Sequence, residues 1–183
     1  MNVSPSGSLK NARIPVLGIV ATRSNSGKTT LLEKLIPLLT AEQLRVGVVK
    51  HVHHNFDLDS KGKDSYRFRA AGSSQVMVAS ERRWALLAEN DDDGRYPDLD
   101  ELILHMDQTR LDLLLVEGLR DYAFDKIEVT LASSTEGLLC RHDPFVIALA
   151  SKVLMEDLPV SWLPLDMPEK IAEFIRSWMA RVP

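Results

Sequence analysis

Residues 14–30 read IPVLGIVATRSNSGKTT. Ile14 to Thr22 is a near-continuous apolar run of strand length, with Pro15 at its start, where a missing N–H donor does least harm. A run without alternation belongs to a strand buried on both faces. From Lys28 onward Leu31, Leu32, Leu35, Ile36, Leu38 and Leu39 recur with helical spacing, although Pro37 is expected to kink or loosen the last turn. At the junction, Thr22-Arg23-Ser24-Asn25-Ser26-Gly27-Lys28-Thr29 follows the phosphate-binding P-loop pattern of Gly, four residues, Gly-Lys-Ser/Thr, except that Thr22 takes the first Gly position. The chemistry suits the pattern. Backbone N–H groups from Ser24 to Thr30 can wrap a phosphate at the positive end of the helix. Gly27 admits close backbone approach, Lys28 reaches the β- and γ-phosphates, and Thr29 offers a hydroxyl to Mg²⁺. The bland alternative is a Ser-Gly-Lys-Thr turn that merely caps a helix; the strand–loop–helix context at the right offset argues against it.

Arg45 to Lys50 (RVGVVK) is a second short strand, which completes a βαβ unit and predicts a parallel sheet with a right-handed crossover. A long polar stretch follows over 51–75, with a helix expected over 63–71. Segments 75–79 and 83–88 read as short strands parted by a turn at 80–82, 90–97 as an acidic loop, and 98–106 as a helix. Leu111 to Val116 (LDLLLV) is a buried strand that ends at Glu117-Gly118. Segments 126–131 and 145–150 are further strands, 160–165 an edge strand, and Pro168 opens a closing amphipathic helix. The expected fold is α/β: a three-layer P-loop NTPase arrangement with a mostly parallel sheet and flanking helices. Residues 1–13 are expected to be a polar, disordered tail and 14–183 a single nucleotide-binding domain, in keeping with a chain of 183 residues.

Composition narrows the partners. Lys plus Arg number 22 against 26 Asp plus Glu, a net charge of -4, so no global basic field exists to hold a polyanion and nucleic acid is not expected. No window approaches the roughly 18 apolar residues of a membrane span, so no membrane partner is expected. The single cysteine, Cys140, cannot form an intramolecular disulfide, which fits a reducing compartment and a cytoplasmic location.

Leu113-Leu114-Leu115-Val116-Glu117 has the form of a Walker B strand, whose acid holds Mg²⁺ through water beside the P-loop; many buried strands also end in an acid. Asp112, at the far end of that strand, reads as a solvated strand entrance. Lys50-His51-Val52-His53-His54 leaves the second strand at its carboxyl end, where open α/β sheets bind ligands. Its histidines suit either contact with a nucleotide or partner, His53 foremost, or ligation of a transition metal, for which no fourth ligand lies near in sequence. Asp57 and Asp59 lie where switch segments of P-loop proteins lie. Each can reach Mg²⁺ or orient a water, or be a solvated loop acid. Lys61, Lys63, Arg67 and Arg69 form either an anion-facing cluster or a charged helix face.

SGKTTLLEKLIP (26–37), VKHVHH (49–54), DLDSKGKDSYRFRAAG (57–72), VASERRWAL (78–86), LDLLLVEG (111–118) and VIALAS (146–151) together resemble the molybdopterin-guanine dinucleotide biosynthesis protein B family. The resemblance implies a P-loop protein that binds GTP with Mg²⁺, forms a homodimer and works beside the guanylyltransferase that joins GMP to molybdopterin. Carried onto this chain, it makes Lys28 and Thr29 phosphate and Mg²⁺ contacts and Glu117 the Walker B acid. Thr22 and Asn25 depart from the small or Gly residues frequent in relatives, and Lys152 stands where an Asp is expected after Ala150-Ser151. No Asn-Lys-x-Asp or Thr-Lys-x-Asp guanine signature occurs, so guanine over adenine rests on the resemblance alone. The expected function is a GTP-binding adaptor in molybdenum cofactor biosynthesis with at most slow hydrolysis, in which Asp59 and Glu117 serve the chemistry. The alternative is a small-molecule kinase passing the γ-phosphoryl to an acceptor, with Arg67 and Arg69, or Arg82 and Arg83, closing over the phosphates.

Overall fold

The computed structural model describes residues 9–52, 59–90, 97–132 and 136–182. The chain divides into two compact units, one formed by residues 1–51 and 100–183 and the other by residues 52–99.

The first unit is built on a six-stranded sheet. Its strands are β1 (Val16–Val20), β2 (Val46–Lys50), β5 (Leu113–Glu117), β6 (Lys126–Thr130), β7 (Val146–Ser151) and β8 (Ser161–Pro164); β3 and β4 belong to the second unit. The order across the sheet is β2-β5-β1-β6-β7-β8 and every adjacent pair is parallel. The expected βαβ unit is present as strand, helix and parallel strand, but β5 lies between β1 and β2 and pairs with both. The apolar runs explain why β1 and β5 are central: all five residues of each are buried.

Helix α1 (Lys28–Ala41) and the closing helix α4 (Pro168–Met179) cover one face of this sheet. Leu31, Leu35 and Leu39 of α1 meet Ile171, Ile175 and Trp178 of α4 over Leu17, Ile19, Leu115 and Ile127. Burial of each such side chain contributes about 1.5–3 kcal/mol. Pro37 sits inside α1 without ending it, and the helix runs on to Ala41. The Pro ring removes one donor from the ladder there.

The opposite face carries a polar row. Lys126, Glu128 and Thr130 alternate along β6 and are all buried. The Lys126 ammonium donates to Asp143 Oδ2 and to the carbonyls of Arg120 and Tyr122, and the Glu128 carboxylate accepts the N–H groups of Leu139 and Cys140. Satisfied in this way, β6 tolerates charges that its position in the sheet would otherwise forbid. Residues ahead of β1 are also held: the N–H groups of Lys10 and Asn11 donate to Asp100, and that of Arg13 to Gln108.

The second unit holds helix α2 (Asp64–Ala70) and the antiparallel pair β3 (Gln75–Ala79) and β4 (Trp84–Ala88). The hairpin turns where the sequence places it, with Ser80 Oγ donating to the Arg83 carbonyl. Helix α3 (Leu99–Leu104) belongs, apart from Leu99, to the first unit. No helix among the described residues is long and apolar enough to cross a membrane.

Candidate functional site

The carboxyl ends of β1, β2 and β5 meet at one edge of the sheet, and the loop from β1 into α1 lies there, at the point where strand order reverses. Two residues of that loop adopt left-handed backbone: Asn25 at φ 58 and Gly27 at φ 87. Asn is among the side chains that enter this region at least cost, which accounts for its presence in place of Gly. Thr22 does not have positive φ, so the first Gly position of the pattern needs no glycine here. A Cβ on Gly27 would meet only Leu131 Cδ2 at 3.9 Å; backbone angle, not space, selects glycine. Ser26 is buried and its hydroxyl donates to the Arg23 carbonyl at 2.5 Å, bracing the loop.

The helix ladder opens with Leu31 N–H donating to the Gly27 carbonyl at 2.8 Å, which leaves the first-turn donors of Lys28, Thr29 and Thr30 pointing out of the helix end. Alone among the four α-helices of the described residues, α1 has no acid in its first turn; α2, α3 and α4 begin with Asp64, Asp100 and Glu101, and Glu169. The positive end of α1 is therefore uncompensated by its own side chains.

Glu117 closes β5 beside it, 9% exposed. The Thr29 hydroxyl donates to Glu117 Oε1 at 2.8 Å, and Lys50 at the end of β2 lies with its ammonium 3.3 Å from Glu117 Oε2. A hydroxyl and a carboxylate in contact are hard oxygen donors of the kind that suit Mg²⁺. The chain then turns out of β5 through Gly118 at φ 99 and Leu119 at φ 56. A Cβ on Gly118 would stand 3.5 Å from His51 Cβ, and His51 N–H donates to the Glu117 carbonyl at 3.1 Å. Beyond the turn, Arg120 Nη1 donates to the Thr22 carbonyl at 3.1 Å, tying the loop after β5 to the start of the P-loop. The sequence places Lys50 at the ligand end of β2 but does not pair it with Glu117, and no sequence motif singles out Arg120.

Ser24, Asn25, Ser26, Gly27, Lys28, Thr29, Thr30 and Glu117 thus meet at one edge. Asp59 belongs to the other compact unit, where its Oδ1 accepts the Ser60 N–H at 3.0 Å. His53, His54 and Asp57 lie outside the described residues. Among the described residues no cluster of three His, Cys, Asp or Glu side chains suits a metal ion. At the end of β7 the buried Ser151 hydroxyl donates to the Val153 carbonyl at 2.7 Å and accepts Trp162 Nε1 at 2.9 Å, which fixes the backbone on either side of Lys152. Asp112 sits at the solvated strand entrance expected for it. It forms a two-pronged pair with Arg45 at the end of the sheet away from the P-loop.

The family described as "MobB: Molybdopterin guanine dinucleotide synthesis protein B" matches residues 16–152. The chain is 43% identical over 169 residues to the molybdopterin-guanine dinucleotide biosynthesis adapter protein of Haemophilus influenzae, covering 92% of each chain. It is 43% identical over 172 residues to the adapter protein of the same name from Escherichia coli, covering 92% of this chain and 95% of the relative. Among solved structures, molybdopterin-guanine biosynthesis protein B superposes with a TM-score of 0.68 at 28% identity, over 89% of this chain and 99% of that one. A MobB protein homologue from Bacillus stearothermophilus superposes with a TM-score of 0.69 at 22% identity, over 90% and 97%, and shares the fold. With a family match over residues 16–152 and two relatives matched almost end to end, the chain belongs to the molybdopterin guanine dinucleotide synthesis protein B family.

Proposed function

We propose that this protein binds GTP with Mg²⁺ at the β1–α1 junction and acts as an accessory protein of molybdenum cofactor biosynthesis, working beside the guanylyltransferase that forms molybdopterin guanine dinucleotide. The observation that carries the reading is the contact between Thr29 Oγ1 and Glu117 Oε1, 2.8 Å, at the acid-free N-terminus of α1. The adapter proteins it resembles over most of its length supply the pathway. Nothing in those likenesses favours a kinase.

In this reading the N–H groups from Ser24 to Thr30 cradle the phosphates, Lys28 neutralises the β- and γ-phosphates, and Thr29 and Glu117 hold Mg²⁺, the latter through water. Mg²⁺ supplies charge neutralisation between the phosphates. From the sequence, His53 is assigned a nucleotide contact, and Asp59 and Glu117 are assigned roles in the chemistry. Hydrolysis is slow, because Arg120 spends a guanidinium N–H on the Thr22 carbonyl and Arg23 is an exposed loop residue. The protein works as a single nucleotide-binding domain in the cytoplasm, and as a homodimer. Trp84 at 56% and Met77 at 63% exposure lie on a two-stranded sheet, an element that is marginal without further cover.

Calorimetric titration of GTP and ATP, with and without Mg²⁺, tests the reading. GTP binds more tightly than ATP, and Lys28→Ala weakens GTP by roughly ten- to a hundredfold, the value of a charge-assisted contact to phosphate. Full affinity in Lys28→Ala overturns it.

A further inference from the structure

We infer that Lys50 holds the place of the magnesium charge at Glu117, neutralising that carboxylate until nucleotide brings the cation; the inference rests on the nucleotide and Mg²⁺ reading of the site. Lys50 and Glu117 are register partners in the parallel β2–β5 pair, and the pairing continues one residue further through His51 N–H on the Glu117 carbonyl at 3.1 Å. The backbones at this point are therefore fixed relative to each other. What can move is the Lys50 side chain, 51% exposed on a four-carbon stem, with its ammonium 3.3 Å from Glu117 Oε2.

Surface ion pairs of this length are usually worth little. This one differs in its acid. The Glu117 side chain is only 12% exposed, and its other oxygen accepts the Thr29 hydroxyl at 2.8 Å. A nearly buried carboxylate facing the phosphate cradle would repel a triphosphate unless something positive stood against it. In the protein by itself that positive group is the Lys50 ammonium. Its attachment to β2 keeps it at the site whether or not Mg²⁺ is present. With Mg²⁺ held beside Thr29 and Glu117, the carboxylate would have its counter-charge from the metal and would no longer depend on the Lys50 ammonium. No bond is made or broken; one positive charge replaces another at the same carboxylate.

The consequence is a specific dependence on Mg²⁺. Without Lys50, nucleotide binding in the absence of Mg²⁺ meets an uncompensated Glu117, whereas binding with Mg²⁺ does not. The quantity to read is the ratio of the GTP Kd in EDTA to the GTP Kd in excess MgCl₂, obtained by calorimetry on the full chain. In Lys50→Met this ratio rises on the order of five- to tenfold, chiefly through weaker binding in EDTA, the effect of one lost charge near a half-screened site. Lys50→Arg, which keeps the charge, stays within about twofold of the parent. Glu117→Gln lowers the ratio, since the carboxylate that needs a cation is gone. Coincident far-ultraviolet spectra and melting curves show that each variant folds.

If the parent protein binds no GTP under either condition, the nucleotide reading itself falls. If the parent binds GTP with a clear Mg²⁺ dependence and Lys50→Met shows the same ratio, the nucleotide reading stands and the role of Lys50 is overturned. A ratio raised equally in Lys50→Met and Lys50→Arg also overturns it, because shape rather than charge would then be responsible.

Discussion

Arg45 and Asp112 clasp the β2–β5 pair at the end opposite the P-loop. Arg45 Nη2 donates to Asp112 Oδ1 at 2.7 Å, and the Arg45 Nε and N–H donate to Oδ2 at 2.9 and 2.8 Å. The Asp112 N–H returns a bond to the Arg45 carbonyl at 2.8 Å. Hydrogen bonds from the Arg45 side chain and backbone lower the Asp112 carboxyl from its ordinary 3.8 to about 2. A carboxyl lowered in the folded state stabilises it above the unfolded value, and that contribution fades as pH falls through the folded one. The stability gap between the parent and Asp112→Asn is therefore expected to be constant above pH 3.8 and to close as pH falls toward about 2. Urea midpoints measured across that window check it, and a gap that does not narrow sinks the assignment.

The P-loop backbone makes a second test. Asn25 at φ 58 and Gly27 at φ 87 need residues that tolerate left-handed geometry. Asn25→Gly keeps GTP affinity, whereas Asn25→Val, a β-branched residue forced into that region, costs about 1–2 kcal/mol and weakens GTP about tenfold. Gly27→Ala weakens binding for the same reason although space is open around its Cβ. Equal affinities for Asn25→Gly and Asn25→Val would show that the loop is not held in this geometry when nucleotide is bound.

Much of the fold is legible in the sequence because buried parallel strands are nearly unbroken apolar runs. Leu113–Glu117 and Val146–Ser151 stand out for that reason, as does the leucine spacing of α1. Sheet order is not legible, since nothing local tells that β5 inserts between β1 and β2; that follows from long-range packing. At the site, the nearness of Thr29 to Glu117 follows from a strand–loop–helix motif and a strand that ends in an acid. Lys50, Arg120 and the Arg45–Asp112 pair do not follow, because each depends on which strands become neighbours. Pro37 shows a local cost outweighed by packing. Its local cost is real, but the Leu35 and Leu39 contacts on either side bury α1 firmly enough to carry the helix past it.

Cys140 is expected to be inert in the folded protein. Desolvation by burial first, then the neighbouring Glu128 charge, push its thiol from 9.0 to about 11. At pH 8 the thiolate fraction is then on the order of one in a thousand, and the thiolate is the reactive form. A disulfide reagent at pH 8 labels the thiol only after denaturant is added. Stoichiometric labelling of the native protein within the mixing time would contradict this burial.

Gly18 and Lys126 give the sharpest test of the buried polar row. Lys126 is 1% exposed, and its ammonium reaches Asp143 Oδ2 at 2.6 Å and the carbonyls of Arg120 and Tyr122 at 2.7 and 2.6 Å. Removing Asp143 leaves the buried ammonium with two carbonyl acceptors but no counter-charge, so Asp143→Ala is expected to cost roughly 3–5 kcal/mol, as for other broken buried pairs. The stem of Lys126 crosses β1 at Gly18, where a Cβ would stand 2.6 Å from Lys126 Cγ and 3.0 Å from Phe124 Cε2. Lys126 Cγ cannot yield, because the far end of that side chain is pinned by three acceptors. Gly18→Ala is accordingly expected to destabilise by about 1–3 kcal/mol through overpacking. In a Lys126→Ala background the first of those contacts no longer exists, so the penalty of Gly18→Ala should shrink and the two substitutions should couple by about 0.5 kcal/mol or more in a double-mutant cycle. Denaturant midpoints of the four proteins supply the cycle. Strict additivity would mean that Gly18 is required by Phe124 alone, and that the lysine stem does not press on β1.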